Sequence, residues 1–326
     1  MIDARRRAMC LAAVATALYP VASPAQIDGF PSKPVRIIVP FTAGALTDII
    51  ARIYAEKLGP NLGQPLVVDN RPGAGGIAAS QLLLSQPADG HTMLFVSSAH
   101  GVNPSLQAKL PYDTLHDFSG LALLATSPTL VIVNANHPAK TLKELIAIGK
   151  RKPDTLSYGS AGVGAATHLV GEYFANEAGI KMLHVPYKGV QEAVSEVMGG
   201  RLDTAFPPIA LALPYIKAGR VRALGITSPE RAPQVADVLT VAEQGLTDFE
   251  YSIWYAIVMS AKTPKSIMEA LSRQLLRVSQ NPDVAEKLGS QGLIIQKMVL
   301  SEFDAFIAKE VDKLGRIVKL SGAKPE

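Results

Sequence analysis

The sequence predicts an α/β protein of two lobes, each a doubly wound sheet flanked by helices, with a cleft between them. Three observations predict it. Short apolar, β-branched runs alternate with amphipathic helical runs, the pattern of buried strands covered by helices. The alternation is interrupted by a long strand-rich passage, Leu121 to Asn136, broken at Ser127-Pro128, and then restarts. A second strand-rich passage, Phe249 to Pro264, carries the chain back, and two crossings between two lobes imply a hinged molecule.

The first segment, MIDARRRAMCLAAVATALYPVASPAQ, has the three-part build of an export signal. Arg5, Arg6 and Arg7 are its basic region, and Met9 to Ala22 is an apolar run shorter than the roughly 20 residues a membrane span needs. Ser23-Pro24-Ala25 supplies small residues for cleavage before Gln26, so residues 1–25 are expected to be removed. Cys10 is the one cysteine and lies inside this segment. The exported chain must therefore be held by core burial without disulfides, which its length permits.

The formal net charge of +4 falls toward neutral when Arg5, Arg6, Arg7 and Asp3 leave, which argues against nucleic acid or an anionic membrane as partner. With 48% hydrophobic residues the chain is not disordered. It has no second apolar run of membrane-spanning length. A soluble, monomeric protein of a Gram-negative periplasm is expected.

The first lobe is expected to comprise residues 26–125 plus 251–326, and the second residues 126–250. The first opens with strand VRIIVPF and a helix LTDIIARIYAEKLG, whose Ile49, Ile50, Ile53 and Leu58 share a face and which Gly59-Pro60 ends. Strand LVVDN leads through RPGAGG into helix IAASQLLLSQ, and strand HTMLFVSS ends at a loop, AHGVNP. In the second lobe, helix TLKELIAIGKRK precedes strand TLSYGS, the helix around HLVGEYFANEAG, and strand KMLHVPY. Helix VQEAVSEVMGG, strand LDTAFP, helix LALPYIKAG and strand VRALGIT complete it. After the return crossing only helices are read, and they are expected to pack on the first lobe.

Ligands of such folds sit at the carboxyl ends of strands. Four segments lie there: FTAGALTD, SSAHGVNP, GSAGVGAATH and PYKGVQ. A dinucleotide reading of Gly73-Ala74-Gly75-Gly76-Ile77-Ala78 lacks the acidic residue that should close the next strand. A nucleophile turn needs G-x-S-x-G, and Gly159-Ser160-Ala161-Gly162 misses it by one residue, with His168 close by in sequence. Lys188 has no evident activating partner, and the scattered histidines give no metal-ligand cluster, so no cofactor is expected. What remains is anion binding by backbone N–H groups at helix starts, assisted by hydroxyls of Thr42, Thr47, Ser160 and Thr167. The bland alternative is that the glycines make tight turns and Asp48 pairs locally.

The segments PSKPVRIIVPFTAGALTDIIAR, VVDNRPGAGGIAAS, PADGHTMLFVSSAHGVNP, YGSAGVGAATHLVGEYF, HVPYKG and YIKAGRVRALGITSPER closely resemble the Bug family of periplasmic solute-binding proteins of tripartite tricarboxylate transporters. The resemblance implies a type II, Venus-flytrap binding protein, each lobe a doubly wound mixed sheet flanked by helices, without enzymatic activity or cofactor. It implies a small carboxylate or dicarboxylate ligand, delivered to membrane subunits of the transporter. Carried onto this chain, it places the ligand against Phe41, Thr42, Ala43, Gly44, Ala45, Thr47 and Asp48, with Ser98 and His100 nearby. In the second lobe it points to Ser160, Ala161, Gly162, Gly164, Ala165, Ala166 and Thr167, helped by Tyr187 and Lys188, with Phe206 and Pro207 at the cleft floor. Two departures stand out. The family's usual Gly-Gly is here Gly44-Ala45, and Pro207-Pro208 replaces a segment that is more often polar, so an aliphatic or aromatic dicarboxylate is expected. The competing readings are a sensor acting on a two-component kinase and a secreted hydrolase.

Overall fold

The computed structural model describes residues 29–323, and the export-signal reading of residues 1–25 lies outside the described residues. Two mixed sheets form, each covered by helices on both faces. In the first, β1 (Val35–Val39) lies parallel between β2 (Leu66–Asn70) and β3 (Thr92–Ser97). β10 (Ser252–Ser260) runs antiparallel between β3 and β4 (Phe118–Pro128), and β11 (Ile294–Ile295) closes the far edge on β4.

The second sheet repeats this order. β6 (Leu156–Ser160) lies parallel between β7 (Met182–Pro186) and β8 (Thr204–Ala205). β5 (Leu130–Asn134) then runs antiparallel between β8 and β9 (Val221–Ile226). In both sheets the antiparallel strand next to the parallel trio is the first one laid down after a crossing.

Alternating side chains send each strand to two cores. From β1, Ile37 and Val39 bury against Ile50, Tyr54 and Leu58 of α1 (Leu46–Leu62), while Ile38 faces Ala79 and Leu83 of α2 (Ile77–Leu84). From β5, Leu130 and Ile132 meet Val194 and Val197 of α6 (Val190–Met198). On its other face, Val131 and Val133 meet Leu142 and Leu145 of α4 (Leu142–Arg151) and Phe174 of α5 (Ala166–Ala178). The remaining helices are α3 (Ser98–Leu106), α7 (Ile209–Lys217), α8 (Lys265–Ser279), α9 (Pro282–Ser290) and α10 (Leu300–Ser321). Among the described residues no helix is long and apolar enough to cross a membrane.

Four expectations are corrected. The segment AHGVNP is helix α3 rather than a loop. Its Gly101 admits α10, since a methyl there would lie 3.1 Å from Leu314 Cδ1. Helix α1 does not stop at Gly59-Pro60 but runs to Leu62 and is capped by Gly63 at φ 69°, because a proline in the last turn forfeits one hydrogen bond without blocking the turn beyond it. The return segment is not purely helical, since Ile294 and Ile295 pair with Thr126 and Ala125. Finally, the last helix does not pack on the first lobe alone. Phe303 and Ile307 of α10 bury under the first sheet, while Leu314, Ile317 and Val318 bury in the second lobe's core.

Gly171 of α5 tests how tightly the second core is fitted. A methyl there would stand 2.2 Å from the Tyr158 ring. Replacing helical glycine by alanine gains about 1 kcal/mol in propensity, but overpacking costs about 1–3 kcal/mol. The clash is severe enough for packing to win, so Gly171→Ala is expected to lower the urea midpoint; an unchanged or raised midpoint would show that Tyr158 yields freely.

Candidate functional site

Each sheet sends the middle strand of its parallel trio, β1 or β6, into a short loop and then a helix, and the two loops have the same geometry at the glycine and the alanine. After β1, Gly44 takes φ +82° and Ala45 caps α1 at φ −67°, ψ 158°. Only Gly44 needs the left-handed region. The alanine where the family more often has glycine therefore costs no backbone geometry. The Ala45 N–H donates to Thr42 O at 3.2 Å, and the Gly44 N–H donates to Asp48 Oδ2 at 2.9 Å.

Asp48 is 3% exposed and also accepts from Arg52 Nε and Asn70 Nδ2. Burial pushes its carboxyl up, but the hydrogen bonds from Arg52, the Gly44 amide and Asn70 outweigh it and hold it below its ordinary range. Asn70 in turn donates to Phe41 O, which ties the start of the loop to the same anchor. Asp48 is thus the loop's internal support. Thr47 is buried beside it, and its hydroxyl has no partner among the described residues.

After β6 the turn recurs. Gly164 takes φ +77°, Ala165 caps α5 at φ −66°, ψ 154°, and the Ala165 N–H donates to Gly162 O at 3.2 Å. The Ala161 N–H is held by Thr167 Oγ1, the Gly162 N–H by Ser160 Oγ, and the Gly164 N–H by His168 Nδ1. The glycines here therefore do not bare their own N–H groups. They turn the chain so that the amides of Val163, Ala166 and Thr167, which have no hydrogen-bond partner among the described residues, are left over.

Ser160 Oγ lies 2.6 Å from His184 Nε2, a nucleophile-base distance made with a histidine of the neighbouring strand rather than with His168. Ser160 is fully buried, its hydroxyl also holds Gly162, and no carboxylate hydrogen-bonds His184 among the described residues. The pair props the loop. Among the described residues no group of three His, Cys, Asp or Glu side chains is placed to hold a metal.

A cavity of about 550 Å³ lies between the sheets, with Phe41, Ser97 and Ser98 on one side and Val163, Gly164, Ala165 and Ala166 on the other. Its back is formed by Tyr251 and Ile253 of the return crossing and by Leu169 of α5. Helix α3 adds Val102, Asn103, Leu106 and Gln107, and no lining side chain is charged.

Of the expected site residues, Phe41, Ser98, Gly164, Ala165 and Ala166 line this cavity. Thr42, Ala43, Gly44 and Lys188 are exposed and do not line it, and Tyr187 is half-buried, its N–H donating to Ser160 O. Ser160, Ala161, Gly162, Thr167 and Asp48 stand behind the wall as supports. Phe206 does not floor the cavity; it is fully buried against Tyr158 and Phe174, and Pro207 is buried beside it with its carbonyl bound to the Leu130 N–H. His100 is buried against Tyr112 and Phe118, and burial lowers its pKa to about 4. Asn103 belongs to SSAHGVNP, one of the four segments expected at the ligand, whereas Leu106 and Gln107 lie beyond it and reach the cavity because α3 extends to Leu106.

The description of the tripartite tricarboxylate transporter family receptor matches residues 50–323. The chain belongs to this receptor family. The match takes in the whole second-lobe loop and begins just after the first. The receptor is 32% identical over 306 residues to protein BugT of Bordetella pertussis, covering 93% of this chain and 94% of BugT, and the Bug resemblance is thereby shown. It is similar to R. palustris Rpa4515 with adipate, at 27% identity and TM-score 0.74, covering 91% of this chain and all of that one (100%). It is also similar to MatC from Rhodopseudomonas palustris with bound malate, at 28% identity and TM-score 0.70, over 89% of this chain and 100% of MatC. The receptor's family and these neighbours are solute-binding proteins of the periplasmic type, with the two-lobed fold expected.

Replacing Asp48 tests the first loop's anchor. Asp48→Asn weakens three hydrogen bonds to a buried carboxylate, and each charge-assisted bond is worth about 1.5–3 kcal/mol; a loss of roughly 2–4 kcal/mol at pH 7 is expected from chemical denaturation. The folded carboxyl titrates below its ordinary value of 3.8. Its stabilisation is therefore present above that value and lost as pH falls below it. The gap between variant and wild type should close under acid, and a pH-independent gap would assign the loss to shape alone.

Proposed function

We propose that the receptor binds a small carboxylate between its lobes, preferring a dicarboxylate with an aliphatic or aromatic body. It delivers this ligand to the membrane subunits of a tripartite tricarboxylate transporter, working in the periplasm after removal of its first segment. Residues 26–125 with 251–326 up to the middle of α10 act as one jaw and residues 126–250 with the last turns of α10 as the other, and ligand favours the closed arrangement because it then gains contacts from both.

One observation carries this reading. The cavity joins the unpaired amides at the start of α5 to the hydroxyl-bearing wall of the first lobe, with apolar side chains between and no charged group. Backbone amides at a helix start favour an anion. Two or three charge-assisted bonds of about 1.5–3 kcal/mol each suffice for roughly micromolar binding, about −8 kcal/mol. The bodies of Phe41, Val102, Leu106 and Leu169 suit the carbon skeleton of a ligand held by its ends. The adipate and malate named with two structural neighbours are ligands of this chemistry.

A thermal-shift panel of mono-, di- and tricarboxylates, aliphatic and aromatic, tests it. Ligand at a hundredfold excess over its Kd adds about 2.7 kcal/mol to stability, so at least one dicarboxylate should raise the Tm by several degrees and be recovered unchanged. Val163 is 67% exposed and lines the cavity. Val163→Asp should leave the Tm of the ligand-free protein as it is and weaken that dicarboxylate at least tenfold through like-charge repulsion; unaltered affinity would place the ligand elsewhere.

A further inference from the structure

The two loops share one turn geometry and differ in the side chain that holds the turn's glycine N–H. Gly44-Ala45-Leu46-Thr47-Asp48 and Gly164-Ala165-Ala166-Thr167-His168 match in backbone conformation at the glycine and the alanine. In each, the glycine N–H is held by the side chain four residues on, at 2.9 Å by Asp48 and at 3.1 Å by His168. A carboxylate accepts that hydrogen bond until strong acid neutralises it, whereas an imidazole nitrogen accepts only while it carries no proton.

We propose that His168 is the positioning residue of the second-lobe loop: its neutral ring, protonated on Nε2, latches the Gly164 N–H, and a proton on Nδ1 releases this lobe's loop alone. The inference rests on reading that loop as half of the binding site. The residue acts through the backbone, holding in place the loop whose Val163, Gly164, Ala165 and Ala166 line the cavity.

The surroundings favour the neutral ring. His168 is buried and stacks on His184, ring centroids 4.1 Å apart, and His184 stacks in turn on Tyr158. The titratable groups facing the pair are Glu172 of α5, Tyr158 of β6 and His184 of β7. Glu172 Oε1 is 3.9 Å from His168 Nε2 and takes the Tyr158 hydroxyl proton in a 2.6 Å hydrogen bond, so it is already engaged. A second imidazolium in the stack would meet the first at van der Waals distance. Burial first, and the neighbouring His184 second, lower His168 to about 4, and burial lowers His184 as well. The fold prefers the unprotonated form, so the stability it adds is full above the ordinary value of 6.5 and declines below it, while the latch itself opens as the folded ring takes its proton at about 4.

Amide exchange and N–H···N scalar coupling in isotopically labelled, ligand-free receptor test this directly. At neutral pH the Gly164 amide nitrogen should couple to His168 Nδ1, and its protection factor should drop at least tenfold by pH 4. Gly44, held by Asp48, should keep its protection over the same range. His168→Asn places a non-titrating oxygen where Nδ1 stood and should keep Gly164 protected throughout; His168→Leu should leave it unprotected at every pH. Wild-type protection of Gly164 in His168→Leu would overturn the latch, and so would an acid loss of protection in His168→Asn that parallels wild type. Adipate affinity, measured alongside, speaks to the site: a wild type that ignores adipate while Gly164 behaves as stated counts against the carboxylate reading and leaves the latch standing.

Discussion

Where the chain crosses between the sheets, Ser252, Ile253 and Trp254 pair with Pro128, Ser127 and Thr126, and the placement of everything else depends on that ladder. Just beyond it the Thr129 N–H donates to Thr227 Oγ1, the Thr227 N–H to Thr129 O, and the Tyr251 N–H to Thr227 O. All three residues are buried. Buried backbone groups must find partners, and two crossings side by side supply them to each other, so neither strand can be repositioned without unpairing the other. The same ladder presents Tyr251 and Ile253 at the back of the cavity. The floor of the cleft is thus the junction itself.

From that junction the two sheets carry equivalent loops to opposite sides of the cavity. The chemistry of the wall is sparse because the polar side chains nearby are spent on the backbone. Asp48, Thr167, Ser160 and His168 each satisfy a loop amide. These bonds fix the turns in advance, so a ligand need not order them when it arrives. Recognition is then left to the amides no side chain has taken, a surface that favours negative charge without dictating one skeleton.

Much of this was legible in the residues. Alternating apolar runs located the strands, Ser127-Pro128 marked the first crossing, and the Gly, Ala and Thr content of the two loops located the ends of β1 and β6. Three features were hidden for physical reasons. Helix α3 contains Gly101 and Pro104, which read as breakers, yet the glycine serves helix packing against α10. The partnership of Ser160 with His184 joins neighbouring strands β6 and β7 across 24 residues, and nothing local signals it. Phe206, which the resemblance puts at the cleft floor, follows a strand only two residues long and lies in the core.

Helix α10 has a consequence for how the molecule is made. Its first turns complete one lobe and its last turns, at Leu314, Ile317 and Val318, complete the other. The first sheet likewise waits for β10, and neither lobe is a continuous piece of chain. Contacts so distant in sequence are slow to form, and during synthesis the earlier elements of both lobes keep apolar surface uncovered until α10 is free. One helix thus completes both lobes, and neither is finished without it.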